Sequence, residues 1–277
     1  MGIAFAIQGD PQHAAQLFEQ ALSVHRQTGE RRIQAIDLGY LGSAALNLKD
    51  LRRALDCYEE ALEICRETGD RQNEGVWLGN LGNAYWSMGK SQRALELYQE
   101  ALALARLTGD RLNEANWARS LGNAYHRQGN HPWAIEAFSL SLALQREMGN
   151  RPMEGIDLTL LGDAWQAAGD LSQAVAHYEQ ALAIAQELRN AQGEWMLLNK
   201  LGDTLQERGE IQQAIGYFEQ ALPLVPETER TKLEEQLLLK LVNACQAAGE
   251  IERASQYRDR ILAIQQAKSA SASKNMN

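Results

Sequence analysis

The chain has 277 residues, 45% of them apolar and 6% aromatic, with a formal net charge of -9 at pH 7. That content supports an extensive buried core, and the acidic balance argues against a nucleic-acid partner. No apolar run approaches the roughly 18–20 residues of a membrane span, residues 1–7 lack the basic start and long apolar stretch of a signal peptide, and Cys57, Cys65 and Cys245 form no Cys-x-x-Cys pair, so a cytoplasmic protein without disulfides, metal or cofactor is expected.

Leu-Gly recurs at 41–42, 81–82, 121–122, 161–162 and 201–202, a spacing of 40 residues that marks a stacked repeat array. In this register the first unit, about 1–30, begins mid-helix. Ile3, Phe5 and Ile7 then belong to half a helix with nothing before it to cover it, which reads as a cut edge open to self-association. Units follow at about 31–70, 71–110, 111–150, 151–190, 191–227 and 228–267. The unit 71–110 is the fullest: Leu78, Leu81, Gly82 and Tyr85, then Ala94, Leu95, Tyr98, Ala101 and Leu102, recur three and four apart and predict two amphipathic helices. Glycine at 9, 89, 129, 169, 209 and 249, with Lys49 in the missing slot, ends each first helix. A second stop at Gly29, Gly69, Gly109 and Gly149 precedes an Asp, Glu or Asn cap and an Arg. Helices of roughly 17–18 residues, about 26 Å long, remain between the turns. Pro223 and Pro226 shorten the second helix of the sixth unit. Arg258 replaces the aromatic column at the end of the last one, as a solvent-facing cap requires, and Ser-rich 268–277 is expected to be a disordered tail.

Two small-residue columns suit close helix approach. The glycines 42, 82, 122, 162 and 202 are expected to face Ala54, Ala94, Ala134, Ala174 and Ala214 within each hairpin. Ala21, Ala61, Ala101, Ser141, Ala181 and Ala221 would seat one hairpin on the next.

Leu81, Gly82, Tyr85, Gly89, Ala94, Tyr98 and Ala101 form a pattern that resembles the tetratricopeptide repeat. The 40-residue form, with its Thr-Gly-Asp-Arg linkers and Gly-Asn-Leu-Gly-Asn-Ala-Tyr at 79–85, is similar to LGN/Pins-type adaptors and bacterial tetratricopeptide signalling proteins. The pattern departs from the consensus where Leu38, Leu78, Leu158 and Leu198 replace the early tryptophan and where the closing proline is absent. The resemblance implies an all-α, right-handed superhelical α-solenoid of antiparallel helix pairs with about six and a half repeats.

It also implies a concave groove lined by the first helix of each unit. The stripe on that helix reads Gly79, Asn80, Asn83 and Trp86; then Arg119, Ser120, Asn123 and His126 beside Arg127; then Thr159, Leu160, Asp163 and Gln166; then Asn199, Lys200, Asp203 and Gln206. Amides carry both donor and acceptor, so Asn80, Asn83, Asn123, Asn199 and Asn243 suit an extended peptide main chain. Trp86 is the candidate anchor, and Arg119, His126 and Arg127 favour an acidic side chain or a C-terminal carboxylate. The set of five residues with which related domains clamp a chaperone's carboxylate is met at Arg119, Asn123 and Lys200 but not at Leu160 and Met196, so chaperone binding is not expected. Trp165 shares the column of Tyr85 and Tyr125 and reads as core, whereas spacing leaves Trp77, Trp117 and Trp133 unplaced.

Ala84 to Ser91 matches a loose phosphate-binding loop, but Tyr85 and Trp86 fall inside a helix and Gly89-Lys90 is a hairpin turn, so nucleotide binding is not expected. The expected function is a non-enzymatic scaffold or adaptor that binds a protein or peptide segment. Alternatives are a regulatory or oligomerising module of a larger signalling protein and, against the charge, an RNA-binding helical repeat.

Overall fold

In the computed structural model, which describes residues 10–226 and 230–274, the regular elements among the described residues are thirteen α-helices and one short 3-10 turn. One compact unit ends at Glu147 and holds α1 (Pro11–Thr28), α2 (Arg31–Asn47), α3 (Leu51–Thr68), α4 (Arg71–Ser87), α5 (Ser91–Thr108), α6 (Arg111–Arg127) and α7 (His131–Glu147). The other starts at Met148 and holds α8 (Arg151–Ala167), α9 (Leu171–Glu187), α10 (Ala191–Glu207), α11 (Ile211–Ala221), α12 (Arg230–Ala247) and α13 (Ile251–Lys274). Even-numbered helices are the first of each hairpin and odd-numbered ones the second. Ile3, Phe5 and Ile7 lie outside the described residues.

Local sequence explains the helix boundaries. The carboxylates of Asp10, Asp50, Asp70, Asp110 and Asp170 and the amide oxygen of Asn190 each accept a backbone N–H at the start of the following helix, a cap that contributes about 0.5–2 kcal/mol over alanine. The stops are left-handed residues. Lys49 takes the glycine slot with φ 63°, and Arg189 does the same in the column of Gly29, Gly69 and Gly109 with φ 53°. Both tolerate a conformation that a β-carbon disfavours because the chain must reverse there.

Packing within a hairpin adds aromatic rings to the small-against-small contact expected there. A Cβ on Gly42 would sit 2.9 Å from the Tyr58 ring, one on Gly122 2.5 Å from Phe138, and one on Gly202 2.3 Å from Phe218. The glycine column therefore receives the aromatic column as well as the alanine column: a Cβ on Gly82 would sit 2.7 Å from the Tyr98 ring and 3.4 Å from the Ala94 carbonyl, so a ring fills most of the space that a side chain would take. The alanines at 54, 94, 134, 174 and 214 are fully buried beside it. Ala101 contributes within its own hairpin too: its carbonyl lies 3.7 Å from a Cβ built on Gly75.

Between hairpins of the first unit, tryptophans do the filling. Trp77 lies against Gly39, stacks on Tyr58 at 6.5 Å and meets Tyr40 edge-on at 5.7 Å. Trp117 lies against Gly79 and stacks on Tyr98 at 6.4 Å. Both indoles are buried, which places them between repeats and removes Gly79 from the accessible stripe. Trp165 is half-buried, like Tyr85 and Tyr125, so its column edges the core rather than filling it.

The Thr-Gly-Asp-Arg linker has a further role. The buried Glu74 carboxylate takes Arg66 at 2.9 Å and Arg71 at 2.7 Å, and Glu114 takes Arg106 and Arg111, both at 3.0 Å. Removing either arginine would leave a buried carboxylate undercompensated.

At the far end, α11 stops at Ala221 and gives way to the 3-10 turn Leu222–Leu224, where proline cannot supply the helical N–H. Arg258 is exposed, as expected, but Arg253 reaches back to Glu219 at 2.5 Å. The stretch read as a disordered tail continues α13 as far as Lys274; its alanines and Lys268 are strong helix formers, which outweighs the serines.

Candidate functional site

The candidate surface is the face of the first helices carrying the polar stripe. Its chemistry is governed by the aromatic opposite the residue two places after the Leu-Gly leucine. Where that aromatic is tyrosine, its hydroxyl ties the stripe down: Ser43 and Tyr58 share a hydrogen bond of 2.9 Å, Tyr98 donates to Asn83 Oδ1 at 2.7 Å, and Tyr178 donates its one proton to Asp163 Oδ1 at 2.5 Å, with Gln166 Oε1 a more distant acceptor at 3.1 Å. Burial pushes the Tyr58 phenol up to about 12, and Tyr178 is raised by burial and then by the Asp163 charge, so both remain donors at neutral pH. Where the aromatic is phenylalanine, the stripe is released. Asn123 opposite Phe138 and Asp203 opposite Phe218 are exposed.

In the first unit the stripe is mostly neutral. Asn80 is half-buried and Asn123 projects freely, and neither makes a side-chain hydrogen bond with the described residues. Trp86 is half-buried under the Arg127 guanidinium, 5.7 Å from its ring, a cation–π contact joining α4 to α6. His126 stands edge-on to His131 at 5.5 Å, and Arg119, half-buried, donates weakly to Ser141 at 3.4 Å. Arg119, Asn123, His126 and Arg127 thus share α6, and the cationic members already have neighbours.

In the second unit the stripe is charged and paired to itself. Lys200 Nζ donates to Asp163 at 2.6 Å, and one repeat later Lys240 donates to Asp203 at 2.7 Å. Each ammonium also lies 5.5 Å from the aromatic ring beneath it, Tyr178 or Phe218. Gln166 continues the theme by donating to Glu207 at 3.1 Å. Asn199 donates to the Trp195 carbonyl at 3.0 Å and keeps its own amide oxygen open.

Asn199, Lys200 and Asp203 converge on a cavity of about 210 Å³ between α10 and α12. Its apolar lining comes from Trp195, Met196, Leu233 and Leu237, and Gln236 and Lys240 complete its rim. The indole N–H of Trp195 has no hydrogen-bond partner among the described residues. These lining residues escaped the sequence-based stripe, although one signal was available: Trp195 stands in the column of Ala35, Gly75, Ala115 and Gly155, where a bulky ring is out of pattern. By contrast, the phosphate-loop lookalike is excluded by geometry. Tyr85 and Trp86 lie in α4, and Gly89 turns the chain with φ 74°. The three cysteines are buried free thiols, with burial raising Cys57 to about 11 and Cys65 to about 12, which makes them poor nucleophiles.

No described helix is long and apolar enough to cross a membrane. No curated protein matches the chain. Among solved structures it is similar to a Signal Transduction ATPase with Numerous Domains protein with a tetratricopeptide repeat sensor from Pyrococcus horikoshii, with a TM-score of 0.81 and 16% identity over 100% of this chain and 43% of that one. It is also similar to BtubC from P. vanneervenii, with a TM-score of 0.63 and 21% identity over 79% of this chain and 92% of that one. A Rap protein complexed with Competence and Sporulation Factor follows with 0.54 and 15% over 85% and 76%. At these identities the likeness is one of fold. The tetratricopeptide repeat family matches residues 32–107, 77–147, 113–187 and 155–227; these segments overlap, span well over half of the sequence and coincide with the observed hairpins, and the chain belongs to the tetratricopeptide repeat family.

Proposed function

We propose that this protein is a non-catalytic scaffold that holds an extended segment of a partner protein along the first-helix groove. The observation that carries this reading is the cavity between α10 and α12, with its apolar floor, the open amide oxygen of Asn199 and the unsatisfied Trp195 N–H. An apolar side chain of the partner would enter it while the main chain pairs with Asn199 and Gln236, as recurring peptide-recognition modes do. The first unit, taken by itself, would offer Asn80, Asn123 and the Trp86–Arg127 pair to a segment of the same kind. The α6 group of Arg119, His126 and Arg127 would add a preference for a carboxylate. Lys200 and Lys240 would add little of that, being neutralised by Asp163 and Asp203.

The test is selection of peptides from a displayed random library by the wild-type chain, followed by titration of the selected peptides against Asn199→Ala/Gln236→Ala and Trp86→Ala/Asn123→Ala. The expected loss is about tenfold or more for the first pair, consistent with an interface centre, with helicity unchanged by circular dichroism. Failure to select any peptide, or equal affinity for wild type and both double variants, would overturn the reading.

A second reading has one specific support. The solved structure with the highest TM-score quoted above carries a tetratricopeptide repeat sensor, and this chain spans 43% of it. A regulatory module within a larger signalling protein would use the same groove to admit a signal peptide.

A further inference from the structure

On the opposite face, the second helices of the first unit carry a seam with its own column rule. Position 53 and its equivalents are His at 13, Arg at 53, 93 and 253, Gln at 173 and 213, and Trp only at 133; the facing column is Glu at 19, 59, 179 and 219 and Asp at 259 but Gln at 99 and Ser at 139. Ion pairs bridge the seam between Arg53 and Glu19 and, in the second unit, between Arg253 and Glu219, whereas Arg93 pairs with Glu96 on its own helix. At 99 and 133 both charges are gone. Trp133, at 55% exposure, is the most exposed of the six tryptophans.

The seam at 99 and 133 holds a groove of about 290 Å³ between α5 and α7, lined by Leu102, Tyr125, Trp133, Ala137 and Leu140, whereas the equivalent hollow between α1 and α3 is rimmed by Glu19 and Arg53. Tyr125 forms its floor, held by Gln99 donating to its hydroxyl at 3.0 Å and packed 6.1 Å from Trp133. The apolar character extends beyond the groove: Ala103 and Leu107 on α5 stand where α3 has Glu63 and Glu67, and Leu107 is 76% exposed. The cavity is at or below the low end of the roughly 300–1,000 Å³ that small-molecule sites need, so it suits one or two side chains of a macromolecule. Its charged rim is asymmetric. Arg106 is held by the buried Glu114 carboxylate, whereas Glu136 is exposed and makes no ion pair with the described residues.

We propose that this groove is a second docking site, independent of the first-helix groove, for an amphipathic helix whose large apolar residue seats between Trp133 and Leu140 and whose flanking Lys or Arg meets Glu136. Both walls are helical and present residues three and four apart, Gln99, Leu102 and Arg106 on one side and Trp133, Ala137 and Leu140 on the other, which fits a helical partner lying along them. The net charge of -9 supports a basic partner by long-range attraction.

The probe is a stapled helical peptide of about 15 residues with Leu and Phe at i and i+4 and flanking lysines, titrated by fluorescence anisotropy beside a twin with flanking glutamates. The lysine peptide should bind the wild-type chain more tightly than its twin. Trp133→Arg, which installs the residue found at 53 and 93, should weaken it by about tenfold or more with an unchanged thermal midpoint, and Glu136→Lys should reverse the preference. Ala137→Glu gives a second block of the same groove should Trp133→Arg disturb the helix. Unaltered affinity in the folded variants, or no binding of either peptide, would overturn the proposal. So would sedimentation showing a dimer that Trp133→Arg dissolves, because the occupant would then be a second copy of this chain.

Discussion

The two compact units present the same columns of the same repeat with different chemistry. In the first, the stripe carries Ser43, Asn80, Asn83, Ser120 and Asn123; in the second, the same positions hold Asp163, Lys200, Asp203 and Lys240, with Leu160 and Asn243 at either end of that run. The scaffold needs none of these identities. It needs the buried rings, the glycines that receive them and the turns, and these are common to both units. The difference therefore shows which positions the fold leaves open to choice: a neutral stripe leaves Asn80 and Asn123 unoccupied, whereas a charged one consumes its side chains in bonds between successive repeats.

The largest effect should come from breaking what the units share. Gly202→Leu and Gly42→Leu both force a side chain into a ring, at about 1–3 kcal/mol or more for overpacking. The second-unit variant should lose more, because its Cβ would sit 2.3 Å from Phe218 against 2.9 Å from Tyr58. Urea midpoints would measure this, and the reverse order would show that the distance from Cβ to ring does not set the cost.

A smaller effect sharpens the contrast in the stripe itself. Tyr178→Phe should cost about 1.5 kcal/mol, the low end for a bond to a charged acceptor because Asp163 is partly exposed, whereas Tyr98→Phe should cost about 1 kcal/mol with its neutral acceptor. Equal losses would mean that the Asp163 charge adds nothing to the hydroxyl bond.

The smallest effect is electrostatic. Lys240→Met should cost about 0.2–1 kcal/mol, and the cost should shrink as salt screens the exposed pair. Asn83→Ala in the first unit should show no comparable salt dependence. A salt-insensitive loss at Lys240 would point instead to its packing over Phe218.

Much of the fold was legible because a stacked repeat writes its rules many times over. The beat at Leu41, Leu81, Leu121, Leu161 and Leu201 set the hairpins, and Lys49 in a glycine slot was identifiable only because its neighbours in the column were glycines. The stripe was located from spacing, but its chemistry was not. Whether Asn83 is engaged depends on Tyr98 in the other helix, and whether Lys200 is engaged depends on Asp163 in the preceding repeat. Such pairs are fixed by how helices lean on one another, which a single-helix periodicity cannot express. The ring-on-glycine seat is hidden for a related reason: a glycine column and an alanine column in one hairpin suggest two small residues in contact, although a ring against bare backbone is equally complementary in size. The cavity beside Trp195 was visible only as an outlier in an Ala/Gly column.

The paired seats of Trp77 on Gly39 and Trp117 on Gly79 bear on how such a protein can be recombined. Each seat is split between one module and its successor, so a module carries half a lock at either edge. Transplanting 71–110 into the place of 151–190 would set Trp77 against Arg119 rather than a glycine and leave Gly79 facing Leu197 rather than an indole. Modules that look interchangeable by length are thus keyed to their neighbours, and the serial order of this stretch is itself encoded.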